Sequence, residues 1–215
     1  MIIEPLKPYQ EENIFTKEEW DSIYKTIGIV MDKGLSEENN KYAFMTVVPN
    51  NGFIVHFNDF EPFVKDSIRA KFEKVIGEPF ENIGVLFARY THDSGEAPKL
   101  LPHGDRSTPR TAFTFTARMK STVDWDFCVE DECFDLPTNA AVWFSGTHQS
   151  HWRPDQHFGP DDYYDVMLCQ AFNDRDEVPL TLEFYESMDR VSGKLTDKHK
   201  DRLEEAMRAP KYPHR

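Results

Sequence analysis

Cysteine is scarce in this chain: three copies in 215 residues, at positions 128, 133 and 169. Three thiols spaced this way make neither a disulfide framework nor a thiolate zinc site. Cys128 and Cys133 can meet across a hairpin, but in a reducing compartment small half-buried thiols are the expectation. Long apolar runs are missing as well. No stretch approaches the about 20 residues that a bilayer crossing needs. The opening MIIEPLKPYQEE has neither the basic start nor the apolar stretch of a signal peptide. The expectation is therefore a cytoplasmic protein, mature from residue 1, with no membrane partner. Positive charge is the third shortage. Against 25 Lys and Arg stand 38 Asp and Glu, for a formal net charge of -13, and no basic cluster interrupts it. Such a surface repels phosphate backbones, which argues against nucleic acid as substrate or partner. Internal repeats and low-complexity segments are also absent.

What is present suits one sizeable domain. Seventeen phenylalanines within a 39% hydrophobic composition supply a large packed core. NIFTKEEWDSIYKTIGIVMDKG reads as a helix, with Thr16 and Glu19 as a capping box and Gly34 near its end. Trp20, Ile23, Ile27 and Val30 recur on it at helical spacing. KYAFMTVVP and GFIVHF, separated by NNG, read as a hairpin. FEPFVKDSIRAKFEKVIG gives a second amphipathic helix closed by Gly77. From residue 83 the texture changes to short strands: IGVLFARYT, RTAFTFTARM, VDWDFCVE, AAVWFSGTH, YDVMLCQAF and LTLEFYES. Turn residues separate them at fairly regular intervals, which predicts a β-sandwich or barrel. A surface helix over about 196–209, stopped by Pro210, ends the chain. The fold class is α+β: helical support over about 1–80, a mostly antiparallel β-core over about 83–187, and the short C-terminal helix.

Within the β-core, LLPHGDRS places His103 and Asp105 at a strand end. In an extended segment residues i and i+2 share a face, so both side chains reach one ion, and Gly104 leaves the space between them clear. The triplet alone carries little weight, because His199 and Asp201 repeat it. Those two fall in an expected helix, where i and i+2 point apart. A third ligand is available in AAVWFSGTHQSHWRPDQHF, from His148, His151 or His157. His148 and His151 are three apart, so a strand would aim only one of them at the ion. Two histidines and one carboxylate on β-strands form the facial triad of non-haem Fe(II) oxygenases.

VLFARYTHDSGEAPKLLPHGDRSTPRTAFTFTARM followed by AAVWFSGTHQSHW resembles the core of the 2-oxoglutarate and Fe(II)-dependent dioxygenases, with the texture of prolyl-4-hydroxylase-like members. Arg89 and Tyr90, His103 and Asp105, Arg110, and FSG before His151 follow in that family's order, over about residues 15–175. The resemblance implies a double-stranded β-helix of jelly-roll or cupin type in a single domain over 1–215. It implies Fe(II) as cofactor, with 2-oxoglutarate and O2 as cosubstrates, and favours His151 over His148 as the distal ligand. His157, past a proline, is assigned to the following loop. The implied activity is hydroxylation of a C–H bond in a peptidyl residue or a small metabolite.

One element departs from that pattern. Prolyl-hydroxylase-like members anchor the distal carboxylate of 2-oxoglutarate with a basic residue on the strand after the distal histidine, and here that strand, DYYDVMLCQAF, has none. Arg118 is one substitute, on a face shared with Thr114 and Thr116. Arg153 is the other, directly after His151 and Trp152. A guanidinium suits a carboxylate because it donates two parallel hydrogen bonds. Tyr90 is a further candidate for the same cosubstrate. Trp143, Trp152 and Phe144 are assigned to core or pocket wall, and Arg110 to support of the metal loop. The competing readings are a non-catalytic double-stranded β-helix binding module and another cupin-like metalloenzyme, with a zinc hydrolase as a weaker third.

Overall fold

A computed structural model describes residues 5–33, 43–48, 52–57, 62–92, 100–105 and 113–172. The chain begins with β1 (Tyr9–Glu12) and α1 (Lys17–Lys33), then the hairpin β2 (Ala43–Val48) and β3 (Gly52–Phe57), then α2 (Pro62–Ile76). The β-core follows as β4 (Asn82–Thr91), β5 (Leu100–His103), β6 (Phe113–Ser121), β7 (Phe127–Val129), β8 (Glu132–Phe134), β9 (Ala140–Ser145), β10 (His151–Arg153) and β11 (Tyr163–Phe172).

The capping box forms as the sequence predicts. Thr16 N–H donates to Glu19 Oε2 at 2.8 Å, and Glu19 N–H donates to Thr16 Oγ1 at 3.2 Å, so two orphan amides at the start of α1 are satisfied reciprocally. The carboxylate of Glu19 is buried and also meets Lys71 Nζ at 2.9 Å, which ties α1 to α2. Gly77, with φ of 81°, closes α2 by returning its N–H to Glu73 O at 2.8 Å.

The strands form two antiparallel sheets, one ordered β1-β9-β6-β11-β4-β3-β2 and a smaller one ordered β5-β10-β7-β8. Parity along β6 shows how the layers share it. Phe113, Phe115, Ala117 and Met119 face the helices, packing with Ile23, Ile68 and Phe72. Thr114, Thr116 and Arg118 alternate with them and face the other way. Phe72 is fully buried, with its ring centroid 5.3 Å from Phe115 and 5.1 Å from Trp143. Truncating it to alanine is expected to cost about 3–5 kcal/mol. Between the sheets, Phe127 and Phe144 pack at 5.4 Å, and a second group joins Tyr90, Trp125, Phe158 and Tyr164.

Several features escaped the sequence pattern. β1 reads as a charged segment, yet it pairs with β9 from Tyr9↔Trp143 to Glu12↔Ala140, because backbone pairing at a sheet edge needs no apolar alternation. β8 is too short to show a period. The cysteines require a correction. Cys128 and Cys133, expected as thiols, form a disulfide, because the two-residue turn at 130–131 sets them directly opposite in the β7–β8 register, with Cα atoms 4.0 Å apart. Cys169 is free and buried. The strand expected at LTLEFYES, the helix expected over 196–209 and Arg110 lie outside the described residues. Among the described residues no helix is long and apolar enough to cross a membrane.

Candidate metal centre

The smaller sheet assembles the site. β5 and β10 pair so that His103 stands directly opposite His151, with ring centroids 4.3 Å apart. Asp105 arrives two residues after His103, and its backbone N–H donates to Gly146 O at 2.8 Å in the turn that precedes β10. The ligating atoms of His103, Asp105 and His151 all lie within 4.8 Å of one another, and His151 Nε2 is 3.4 Å from Asp105 Oδ1. His151 is 2% exposed and Asp105 9%, so the group sits against the interior rather than on a solvated face.

Both rings are oriented by carbonyls two residues earlier in the chain. His103 Nδ1 lies 2.7 Å from Leu101 O, and His151 Nδ1 lies 3.1 Å from Gln149 O. A carbonyl oxygen only accepts, so each Nδ1 carries the proton and each Nε2 keeps its lone pair free. That is the protonation pattern a metal-bound imidazole requires, supplied by outer-shell contacts. Burial, reinforced by the neighbouring His151, pushes His103 down to about 4, so it is neutral near pH 7. Burial works to raise Asp105, but the charges and hydrogen bonds of its surroundings, His151 foremost, outweigh it and hold the carboxyl well below its usual range. Two imidazoles, each with Nδ1 on a carbonyl, and one ionised carboxylate therefore converge, and this donor set fits a first-row divalent metal such as Fe(II).

His148 lies in the turn between β9 and β10, outside the group of three; burial lowers its pKa and leaves its Nδ1 without a partner. His157 is exposed in the loop after Pro154. Phe144 walls the site, with its ring 4.7 Å from that of His151. Trp143 faces the helices and donates Nε1–H to Glu11 at 2.8 Å. Trp152 points away from the sheet interior, half-buried between two buried neighbours.

The candidate arginines differ sharply. Arg118 donates through Nε to Ser121 Oγ at 2.8 Å, through Nη1 to Leu136 O at 2.7 Å and through Nη2 to Val123 O at 3.2 Å, and it pairs with Asp124 at 2.8 Å. Its fork is occupied in holding loops. Arg153 shares a face of β10 with His151 and is 2% exposed. Its Nη1 donates to Trp125 O at 2.8 Å, while Nη2 is buried with no hydrogen-bond partner. The guanidinium stacks 5.0 Å from the Trp125 and Phe127 rings and 4.7 Å from Tyr164, whose hydroxyl is also buried and unpartnered. Tyr90 completes this aromatic wall 5.0 Å from Trp125, and burial raises its phenol although the Arg153 charge pulls it down. Arg89, beside Tyr90 in sequence, faces the helices and pairs with the fully buried Asp165 at 2.6 Å. Tyr164 was missed by sequence reasoning. Alternation along β11 places it on the face of Val166 and Leu168, and that signal would have found it.

Two facing antiparallel sheets with helices packed on the larger one define a double-stranded β-helix, the fold of the 2-oxoglutarate/Fe(II) oxygenases. Solved structures that share it include a 2OG-Fe(II) oxygenase family oxidoreductase from Burkholderia pseudomallei, with TM-score 0.56 and 9% identity over 79% of this chain and 86% of that one. AviO1 from Streptomyces viridochromogenes has TM-score 0.54 and 9% identity over 81% of this chain and 92% of its own. HygX from Streptomyces hygroscopicus, solved with nickel, 2-oxoglutarate and hygromycin B, has TM-score 0.51 and 12% identity over 80% and 85%. At these identities the likeness is one of fold. No protein-family profile matches the chain, and no curated protein matches it.

Proposed function

We propose that this chain is a 2-oxoglutarate- and Fe(II)-dependent dioxygenase that hydroxylates a C–H bond of a peptidyl residue or a small metabolite. The ligands are His103, Asp105 and His151, and the distal carboxylate of 2-oxoglutarate is anchored by Arg153, with Tyr90 and Tyr164 beside it. The observation that carries this reading is the unpaired Nη2 of Arg153, buried on the same face of β10 as His151. A buried guanidinium with an empty donor, next to an unpartnered tyrosine hydroxyl, is costly unless an anion completes it. A dicarboxylate held at one end by the metal and at the other by Arg153 does so.

When bound, iron and 2-oxoglutarate supply the two-electron oxidation of a C–H bond by O2, coupled to decarboxylation of 2-oxoglutarate to succinate. The chain's own residues do the rest. The Leu101 and Gln149 carbonyls hold the imidazoles in the ligating tautomer. Phe144 and Phe127 keep water from the His151 side, and the aromatic wall of Trp125, Tyr90 and Tyr164 encloses the Arg153 fork.

The test is anaerobic titration of the Fe(II)-loaded chain with 2-oxoglutarate, following the weak visible charge-transfer band of bidentate chelation. A band in the wild type that is lost in His103→Ala and Asp105→Ala supports site and cosubstrate together. Bound iron without a band refutes the cosubstrate and leaves a cupin-like metalloenzyme of another type. No bound iron leaves a binding module.

A further inference from the structure

The carboxylate of Asp105 is held by side chains of two adjacent strands, the Thr114 hydroxyl and the Gln170 amide. Thr114, fully buried on β6, donates its hydroxyl to Asp105 Oδ2 at 3.2 Å, while Oδ1 is the oxygen that faces His151 Nε2. Gly146 presses from the other side. A Cβ placed there would fall 2.2 Å from Asp105 Oδ2 and 2.4 Å from Thr114 Oγ1, far inside contact distance. Among the described glycines only Gly77 has a left-handed φ, so what Gly146 needs is space rather than an unusual backbone. The same turn holds the Asp105 backbone, through Asp105 N–H to Gly146 O at 2.8 Å and Thr147 Oγ1 to Asp105 O at 3.4 Å.

We propose that Thr114 and Gly146 are positioning residues that make Asp105 a one-oxygen ligand. Thr114 keeps Oδ2 occupied, and the missing side chain at Gly146 gives that oxygen its seat, so the carboxylate presents Oδ1 alone to the ion. The consequence is coordinative. Carboxylates bind cations through one oxygen or two, and a second Asp105 oxygen would take a position that a chelating cosubstrate or O2 needs. Holding Oδ2 on a hydroxyl keeps that position open. This inference rests on the reading of His103, Asp105 and His151 as ligands.

The experiment uses the full metal-free chain titrated with Mn(II), a redox-stable stand-in for Fe(II), reading affinity by calorimetry and the number of metal-bound waters by proton relaxation. Thr114→Val removes the donor at nearly constant volume. It is expected to weaken Mn(II) binding by about 10–100-fold, the usual cost of losing an outer-shell partner, and to lower the relaxation enhancement as Oδ2 displaces a water. Thr114→Ser, which keeps the hydroxyl, is expected to restore both. Gly146→Ala drives a methyl into the carboxylate and is expected to weaken binding at least as much. Wild-type affinity and wild-type relaxation in Thr114→Val would overturn the inference while leaving the ligand assignment standing. A wild-type chain that binds no Mn(II) would overturn the ligand assignment and this inference with it.

Discussion

Replacing Arg153 with methionine separates the cosubstrate role from a structural one. In the unliganded chain this arginine makes one good hydrogen bond, Nη1 to Trp125 O at 2.8 Å, and a longer one to Asp126 O at 3.3 Å, while Nη2 has none. No carboxylate pairs with it among the described residues. Its removal therefore loses little and relieves a buried, half-satisfied charge. A well-packed apolar replacement at such a position is often neutral or stabilising, so the thermal midpoint of Arg153→Met is expected to stay near the wild-type value. Binding should respond very differently. Hydrogen bonds to charged groups contribute about 1.5–3 kcal/mol, which at about 1.4 kcal/mol per decade raises the Kd for 2-oxoglutarate about ten- to hundredfold. Binding of 2-oxobutyrate, which lacks the distal carboxylate, should be unchanged. Arg118→Met supplies the contrast. It breaks three hydrogen bonds and an ion pair that hold the β6–β7 and β8–β9 connections, so it is expected to lower stability by about 1–3 kcal/mol and leave the Kd alone. Calorimetric titration of the Fe(II)-loaded proteins under argon reads both ligands. A 2-oxoglutarate Kd in Arg153→Met equal to the wild-type value would refute the reasoning, and a large Kd change in Arg118→Met would move the anchor to that residue.

Three further outcomes follow from the structure. Arg89→Ala strands the fully buried Asp165 with only the Tyr24 hydroxyl at 3.2 Å, and denaturant unfolding is expected to show a loss of about 3–5 kcal/mol with metal binding retained. The metal-free chain should lose stability as pH falls from about 6.5, the ordinary histidine value, toward the value of about 4 to which burial pushes His103. In that window the unfolded histidine holds a proton that the native one lacks, so stability rises with pH. The native ring keeps some solvent access, which screens the effect to about 1–2 kcal/mol. Asp105, held low, adds its own loss only below the ordinary carboxylate range, so urea titrations of His103→Asn between pH 7 and 5 should be flatter than wild type; an identical slope would refute the assignment. Reducing the Cys128–Cys133 bond, which closes a short loop, is expected to cost about 2 kcal/mol from loop-closure entropy. Thiol titration in denaturant without reductant should then find Cys169 alone, and three reactive thiols would refute the pairing.

The amino-acid sequence by itself determined the elements whose signals are local. Thr16 and Glu19 mark the start of α1 because a capping box closes within four residues. Gly77 marks the end of α2 because only a left-handed residue is needed there. His103 and Asp105 share a face because extended backbone alternates, and the same parity along β6 sets Thr114, Thr116 and Arg118 opposite the helix-facing phenylalanines. What the tertiary structure alone decided concerns partners distant in the chain. The spacing of His148 and His151 says that one of them points inward, but the pairing of β10 with β5 is what sets His151 opposite His103. Arg118 and Arg153 are alike as residue types. They differ because a loop 18 residues on supplies a carbonyl to one, while three aromatic rings from two separate segments enclose the other and leave its Nη2 unpaired. The hairpin that lets Cys128 and Cys133 meet was legible in the sequence, but that they are bonded rather than free thiols rests on the β7–β8 register that sets them directly opposite. Backbone geometry over a few residues is written in local composition, whereas the choice among chemically equivalent side chains is made by strand pairing across as many as 48 positions, the separation of His103 from His151.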